Sequence, residues 1–234
     1  MFLINPYILQ ASGIPLWNGI QAYYTADNTP NDALGTYNGT LTNGATYGTG
    51  IINNGFSFDG VNDYVDLGDV LSTLLDGTNA FSISIWVNPT AVSGTEMFLA
   101  KQKATSPFNG FIFGMTNGYP YLYLASSLTS NELKITMDTQ LTVGSLQQLI
   151  LTYDGSQSAS GVTLDYNGSP TAITTTSDTL NTTISTTGLN LCIGARPGGS
   201  LPFGGVIDEI AIYNVVIPQP EKDALWNGGL GNQY

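Results

Sequence analysis

Apolar and polar residues alternate with a period of two over several short runs of this chain. In Glu132–Asp138, Leu133, Ile135 and Met137 fall on one side, and Glu132, Lys134, Thr136 and Asp138 on the other. That is the pattern of an antiparallel strand with one face buried. Phe81, Ile83, Ile85 and Val87 likewise oppose Ser82, Ser84 and Trp86. Between the runs stand Asn-Gly pairs beginning at Asn18, Asn38, Asn43, Asn54, Asn109, Asn117, Asn167 and Asn227, and Asp-Gly pairs at Asp59, Asp76 and Asp154. Such pairs supply the positive φ angles that tight hairpins require. The spacing predicts a hairpin of Gly110–Met115 and Tyr119–Ala125 about Asn117-Gly118. One short helix is expected near Pro220–Leu225, opened by Pro220 and stopped at Gly228-Gly229. Residues 1–16 carry no charge and lie outside the turn-rich pattern, so they are expected to form an arm, with a β-domain over 17–234.

Composition agrees with an all-β reading. Only 9% of the 234 residues are charged, a deficit that falls on the helix formers Lys, Glu and Arg, while Thr, Tyr, Ile, Asn and Gly favour strands and turns. The net charge of −12 repels phosphate backbones and anionic lipid, so neither nucleic acid nor membrane is an expected partner. There is no His, and Cys192 is the one cysteine. Intrachain disulfides, Cys/His zinc sites and Ser-His or Cys-His catalytic arrangements are thereby excluded. Cys192 sits in a strand-like run and reads as an inert packing residue. The apolar N-terminal run lacks a basic segment and is broken at Asn5-Pro6, so it is not expected to act as an export signal.

A series of motifs carries a resemblance. It runs through Gly19–Tyr24, Asn31-Asp32, Asn38-Gly39-Thr40, Phe56–Val65, Phe81–Pro89, Leu151–Gly155, Leu164–Gly168, Leu191–Arg196 and Gly205–Asn214. In this order, over most of the chain, they resemble the laminin-G-like, concanavalin-A-like lectin jelly roll of bacterial and phage surface proteins. The resemblance implies an antiparallel jelly-roll β-sandwich of two stacked sheets. The chain departs from the family where Leu146-Gln147-Gln148 replaces an aromatic and a His, and where Ala211 replaces an Arg.

Three kinds of chemistry follow. Glycoside hydrolysis needs paired carboxylates facing one bond, yet the glutamates are only Glu96, Glu132, Glu209 and Glu221. Asp208 and Glu209, being adjacent in a strand, are expected to point to opposite faces. No enzyme is expected. Asp208 shares the parity of Ile210 and Ile212, and a carboxylate on an apolar face needs a hydrogen-bond cap or a metal. The resemblance implies calcium there, a hard ion held by Asp208 with Asp32 in the loop after the first strand. Asp59, Asp63, Asp66 and Asp69 read instead as turn and strand positions. Lastly, Tyr119, Tyr121 and Tyr123 share one strand face, opposite Leu122 and Leu124, and Trp86 opposes its own strand's apolar side. Such aromatics could stack on sugar rings, or simply fill space in the sandwich.

The expected function is therefore a non-catalytic structural or adhesion protein with a lectin-like domain. The first reading is a phage virion component (a capsid decoration, fibre or tail subunit), made in the host cytoplasm and docked to other virion or surface subunits through the arm, as an oligomer or part of a larger assembly. The alternative is a carbohydrate-binding module of a secreted or surface bacterial protein, with cell-surface glycans as partners. A degenerate glycosidase is the third.

Overall fold

A computed structural model describes residues 18–127 and 130–233; the expected arm, 1–16, lies outside them. The strands are β1 (Ile20–Tyr24), β2 (Thr40–Thr42), β3 (Thr46–Thr49), β4 (Asn54–Asp59), β5 (Tyr64–Asp66), β6 (Phe81–Pro89), β7 (Thr95–Gln102) and β8 (Gly110–Thr116). After them come β9 (Tyr119–Ser127), β10 (Asn131–Met137), β11 (Gln147–Tyr153), β12 (Val162–Tyr166), β13 (Ser169–Pro170), β14 (Ile173–Asp178), β15 (Cys192–Ile193) and β16 (Gly204–Tyr213). One α-helix, α1 (Gln219–Trp226), follows. The first sheet runs β13-β12-β11-β6-β16-β4-β3, with β1 also on β16; the second runs β14-β10-β9-β8-β7-β15-β5-β2. Every pairing of strands is antiparallel, as the jelly-roll reading requires.

The period-two pattern sets the layers. Phe81, Ile83, Ile85 and Val87 of the first sheet meet Leu122, Leu124, Leu133, Ile135 and Met137 of the second in one continuous buried core. Asn117-Gly118 makes the expected β8–β9 turn, with φ of 51° and 77°, and Asn167-Gly168 turns β12 into β13 in the same way. Asn54-Gly55 does not turn the chain. It lies inside β4, where a Cβ on Gly55 would come within 2.7 Å of the Val206 side chain; this glycine is there for close packing.

The outer face of the first sheet is covered rather than solvated. Tyr23, Ile150, Ala211 and Tyr213 pack there with Ile217 and with Leu225 of α1. Ser82 on that face accepts the amide of Ile217 and donates to the Val215 carbonyl, tying the segment after β16 onto β6. Pro220 stands in the first turn of α1, and Asn227 ends it in the left-handed conformation. Cys192 is fully buried, and burial pushes its thiol up to about 12, so it is inert at neutral pH.

Candidate functional site

The carboxylates of β16 sit on a bulge that alternation could not reveal. Asp208 pairs with Trp86, but the next pair is Ala211 with Ser84, so β16 spends one residue more than β6. Glu209 takes the extra position at φ 46°. Ile207, Ile210 and Ile212 therefore all reach the core, and Asp208 faces away from it, contrary to its expected parity with Ile210 and Ile212. The charge of Asp208 contributes to the raised affinity of Glu209 for its proton. Burial, as the main cause, lifts Asp208 to about 7 and Glu209 to about 8. Tyr23 Oη donates to Glu209 Oε2, and Gln233 Nε2 donates to both Glu209 and Asp27. Asp208 and Glu209 are at most 4% exposed, closed away from any polymeric substrate.

The calcium pair does not fit these side chains. Asp32 Oδ1 accepts the amides of Tyr23 and Leu34, and its Oδ2 those of Thr36 and Tyr37. All four of its lone-pair directions are spent on N–H groups that fasten the 32–37 loop to β1. Asp208 accepts the amides of Ile51, Ile52 and Glu209. The two aspartates share no hydrogen-bonding partner. Among the described residues no three acidic, His or Cys side chains gather as a metal site. Asp59, Asp63 and Asp66 likewise cap turn amides.

The aromatic candidates part company. Trp86 is buried, its ring stacked on that of Trp226 at 5.3 Å and 10°. It offers no platform for a sugar, because a helix from the far end of the chain covers it. Tyr119 is 38% exposed at the start of β9, beyond the cleft described next. Tyr121 and Tyr123 lie on the outer face of the second sheet, in a small apolar cluster with Met97, Ala100, Ile112 and Ala125 that is separate from the main core.

Ile112, Tyr121 and Tyr123 of that cluster line a cleft of about 290 Å³. Ile112 and Lys134 flank Tyr123 as its register partners on β8 and β10. Gln102 at the end of β7, Phe108 in the β7–β8 loop and Arg196 in the turn after β15 complete the walls. Lys134 Nζ stands 5.2 Å from the centre of the Tyr121 ring. Tyr123 Oη donates to Glu132 at 2.7 Å, and Gln102 Nε2 holds the Phe108 carbonyl at 2.9 Å, fixing the loop. Burial lowers the pKa of Arg196 and raises those of Tyr121 and Tyr123 well above the ordinary phenol value. No carboxylate is among the lining residues. The site thus combines aromatic surface, a cluster of N–H donors and no acid–base pair. Sequence reading found its tyrosine row and missed Gln102, Phe108 and Arg196, which reach the cleft from loops and strand ends that carry no periodic signal.

Comparisons with known proteins agree with this architecture. A family model for the concanavalin A-like lectin/glucanases superfamily matches residues 59–221. A search of curated proteins gave no match. Among solved structures, domain 4 of AbnA, an extracellular GH43 arabinanase from Geobacillus stearothermophilus solved with arabinotriose, is 18% identical, with a TM-score of 0.60 over 91% of this chain and 98% of that one. The CBM40 of the Ruminococcus gnavus IT-sialidase, bound to α2,3-sialyllactose, is 17% identical, with a TM-score of 0.57 over 73% and 94%. Trypanosoma rangeli sialidase, solved with the inhibitor DANA, is 14% identical, with a TM-score of 0.64 over 95% of this chain and 35% of that enzyme.

Proposed function

The chain belongs to the concanavalin A-like lectin/glucanases superfamily, and we propose that it is a non-catalytic glycan-binding domain whose site is the outer cleft of the second sheet. The observation that carries this reading is the cleft itself, where Tyr121 and Tyr123, Gln102, Lys134 and Arg196 converge. Ligand sites of this kind are concave, largely apolar and furnished with a few fixed polar groups. Two of the fold relatives hold oligosaccharides in their solved structures, which supports the same class of ligand here. The buried state of Asp208 and Glu209 and the carboxylate-free lining of the cleft speak against hydrolysis at either place.

A glycan-binding domain works where glycans are displayed, on a secreted, cell-surface or virion protein. Of these, the carbohydrate-binding module draws the more direct support, from the cleft. In the virion-subunit reading the chain would dock through residues 1–16, and co-purification of the chain with assembled particles would test it. Among the described residues no helix is long and apolar enough to cross a membrane. The functional test is a glycan microarray probed with the whole chain, beside a Tyr123→Ala variant of matched melting temperature. The reading expects binding that the variant loses. Binding that survives the substitution unchanged would move the site elsewhere.

A further inference from the structure

Positive charge is scarce in this protein, and its distribution is uneven. The chain has five Lys and Arg residues against seventeen Asp and Glu. Lys101 is bound to Asp69, and Lys222 to Asp165. The side chains of Lys134 and Arg196 make no hydrogen bond or ion pair to a described residue, and both line the same cleft. The fifth, Lys103, is exposed on the loop beside it, its amide on the Asn109 carbonyl.

An unpaired, partly buried guanidinium is costly, because water is removed from a charge and nothing replaces it. Arg196 meets this cost at its Nε, which is buried without a partner, and burial lowers the pKa of the group. Contact between Lys134 and the Tyr121 ring compensates only weakly. A neutral sugar stacked on tyrosine would need neither cation. The arrangement makes sense if the ligand brings the counter-charge.

Building on the glycan-binding reading, we propose that the cleft selects sugars carrying a carboxylate, as uronic and sialic acids do. Arg196 would take the carboxylate through its forked N–H donors, which match the planar group two to two. Lys134 would add a point charge from the opposite wall. The overall charge of −12 does not forbid this, since ions screen the rest of the surface beyond about 8 Å at physiological ionic strength. The lining residues themselves contribute no negative charge; the Glu132 carboxylate beside them is engaged by the Tyr123 hydroxyl.

The test is calorimetric titration of the whole chain with matched pairs: 3′-sialyllactose against lactose, and oligogalacturonate against its methyl ester. 3-O-sulfolactose serves as the arm that separates carboxylate from anion in general. We expect at least one acidic sugar to bind roughly 10-fold or more tighter than its neutral partner, the scale of one hydrogen bond to a charged group. Arg196→Gln should weaken that acid by roughly 10- to 100-fold, and Arg196→Lys should weaken it less. Lys134→Gln, on a half-exposed strand position, repeats the test should Arg196 variants fold poorly. Equal or better binding of the neutral partner, or of the sulfated one, overturns the carboxylate proposal and leaves glycan binding standing. Binding of no sugar here or on the microarray overturns both.

Discussion

Glu221 offers a direct test of how tightly α1 is seated on the first sheet. It lies in the first turn of the helix, is 2% exposed, and has one carboxylate oxygen buried without a hydrogen-bond partner. Burial raises its pKa from 4.5 to about 7. Below about pH 4.5 the group is protonated in both folded and unfolded chains and shifts nothing. As pH climbs towards 7 the folded chain keeps a proton that the unfolded chain releases, so stability falls, and the loss is complete above 7. A gap of about 2.5 units corresponds to roughly 3 kcal/mol. Glu221→Gln keeps the shape and removes the charge. Thermal melts followed by circular dichroism should show wild type and variant close together at pH 5, with the variant higher by roughly 6–12 °C at pH 8.5, from about 2–4 °C per kcal/mol in a domain of this size. Asp208 and Glu209, also raised, act equally in both proteins and cancel in the difference. A variant-minus-wild-type difference that is the same at both pH values would refute the reasoning.

Other substitutions probe other parts of the account. Trp226→Ala removes the ring stacked on Trp86 and should cost about 3 kcal/mol, with loss of near-ultraviolet dichroism; an unchanged melt would mean that the helix does not pack there. Asp32→Ala strands four amide donors and should cost about 3 kcal/mol or more, measured by urea denaturation, with Asp32→Asn intermediate. Asp208→Ala should lower stability by the same amount in calcium and in chelator, because a cap to the amides of Ile51 and Ile52 is what it loses. A loss confined to calcium would make Asp208 a ligand after all.

Much of the fold could be read from the chain because a strand face repeats every two residues and Asn-Gly turns announce themselves. The inward rows from Phe81 and from Leu133 lie in the core as alternation places them. Alternation fails where register changes. The extra residue at Glu209 reverses the face of Asp208 without any compositional mark. Trp86 reads as outward-facing, which it is; that Trp226, far along the chain, would cover it is a tertiary fact. The site was half legible. Tyr121 and Tyr123 form a visible row, and Lys134 stands on the polar side of its strand. Gln102, Phe108 and Arg196 join them only because β7, β15 and their loops fold to the same edge of the cleft.

The claim that the outer cleft of the second sheet is the glycan site is tested most directly by a crystal structure with a bound oligosaccharide taken from the microarray. Sugar density lying between Tyr121, Lys134 and Arg196, with its acidic group on the guanidinium, is the predicted result. Well-defined sugar elsewhere, on Tyr119 or on the loops of the first sheet, with the cleft free of it, would contradict the account.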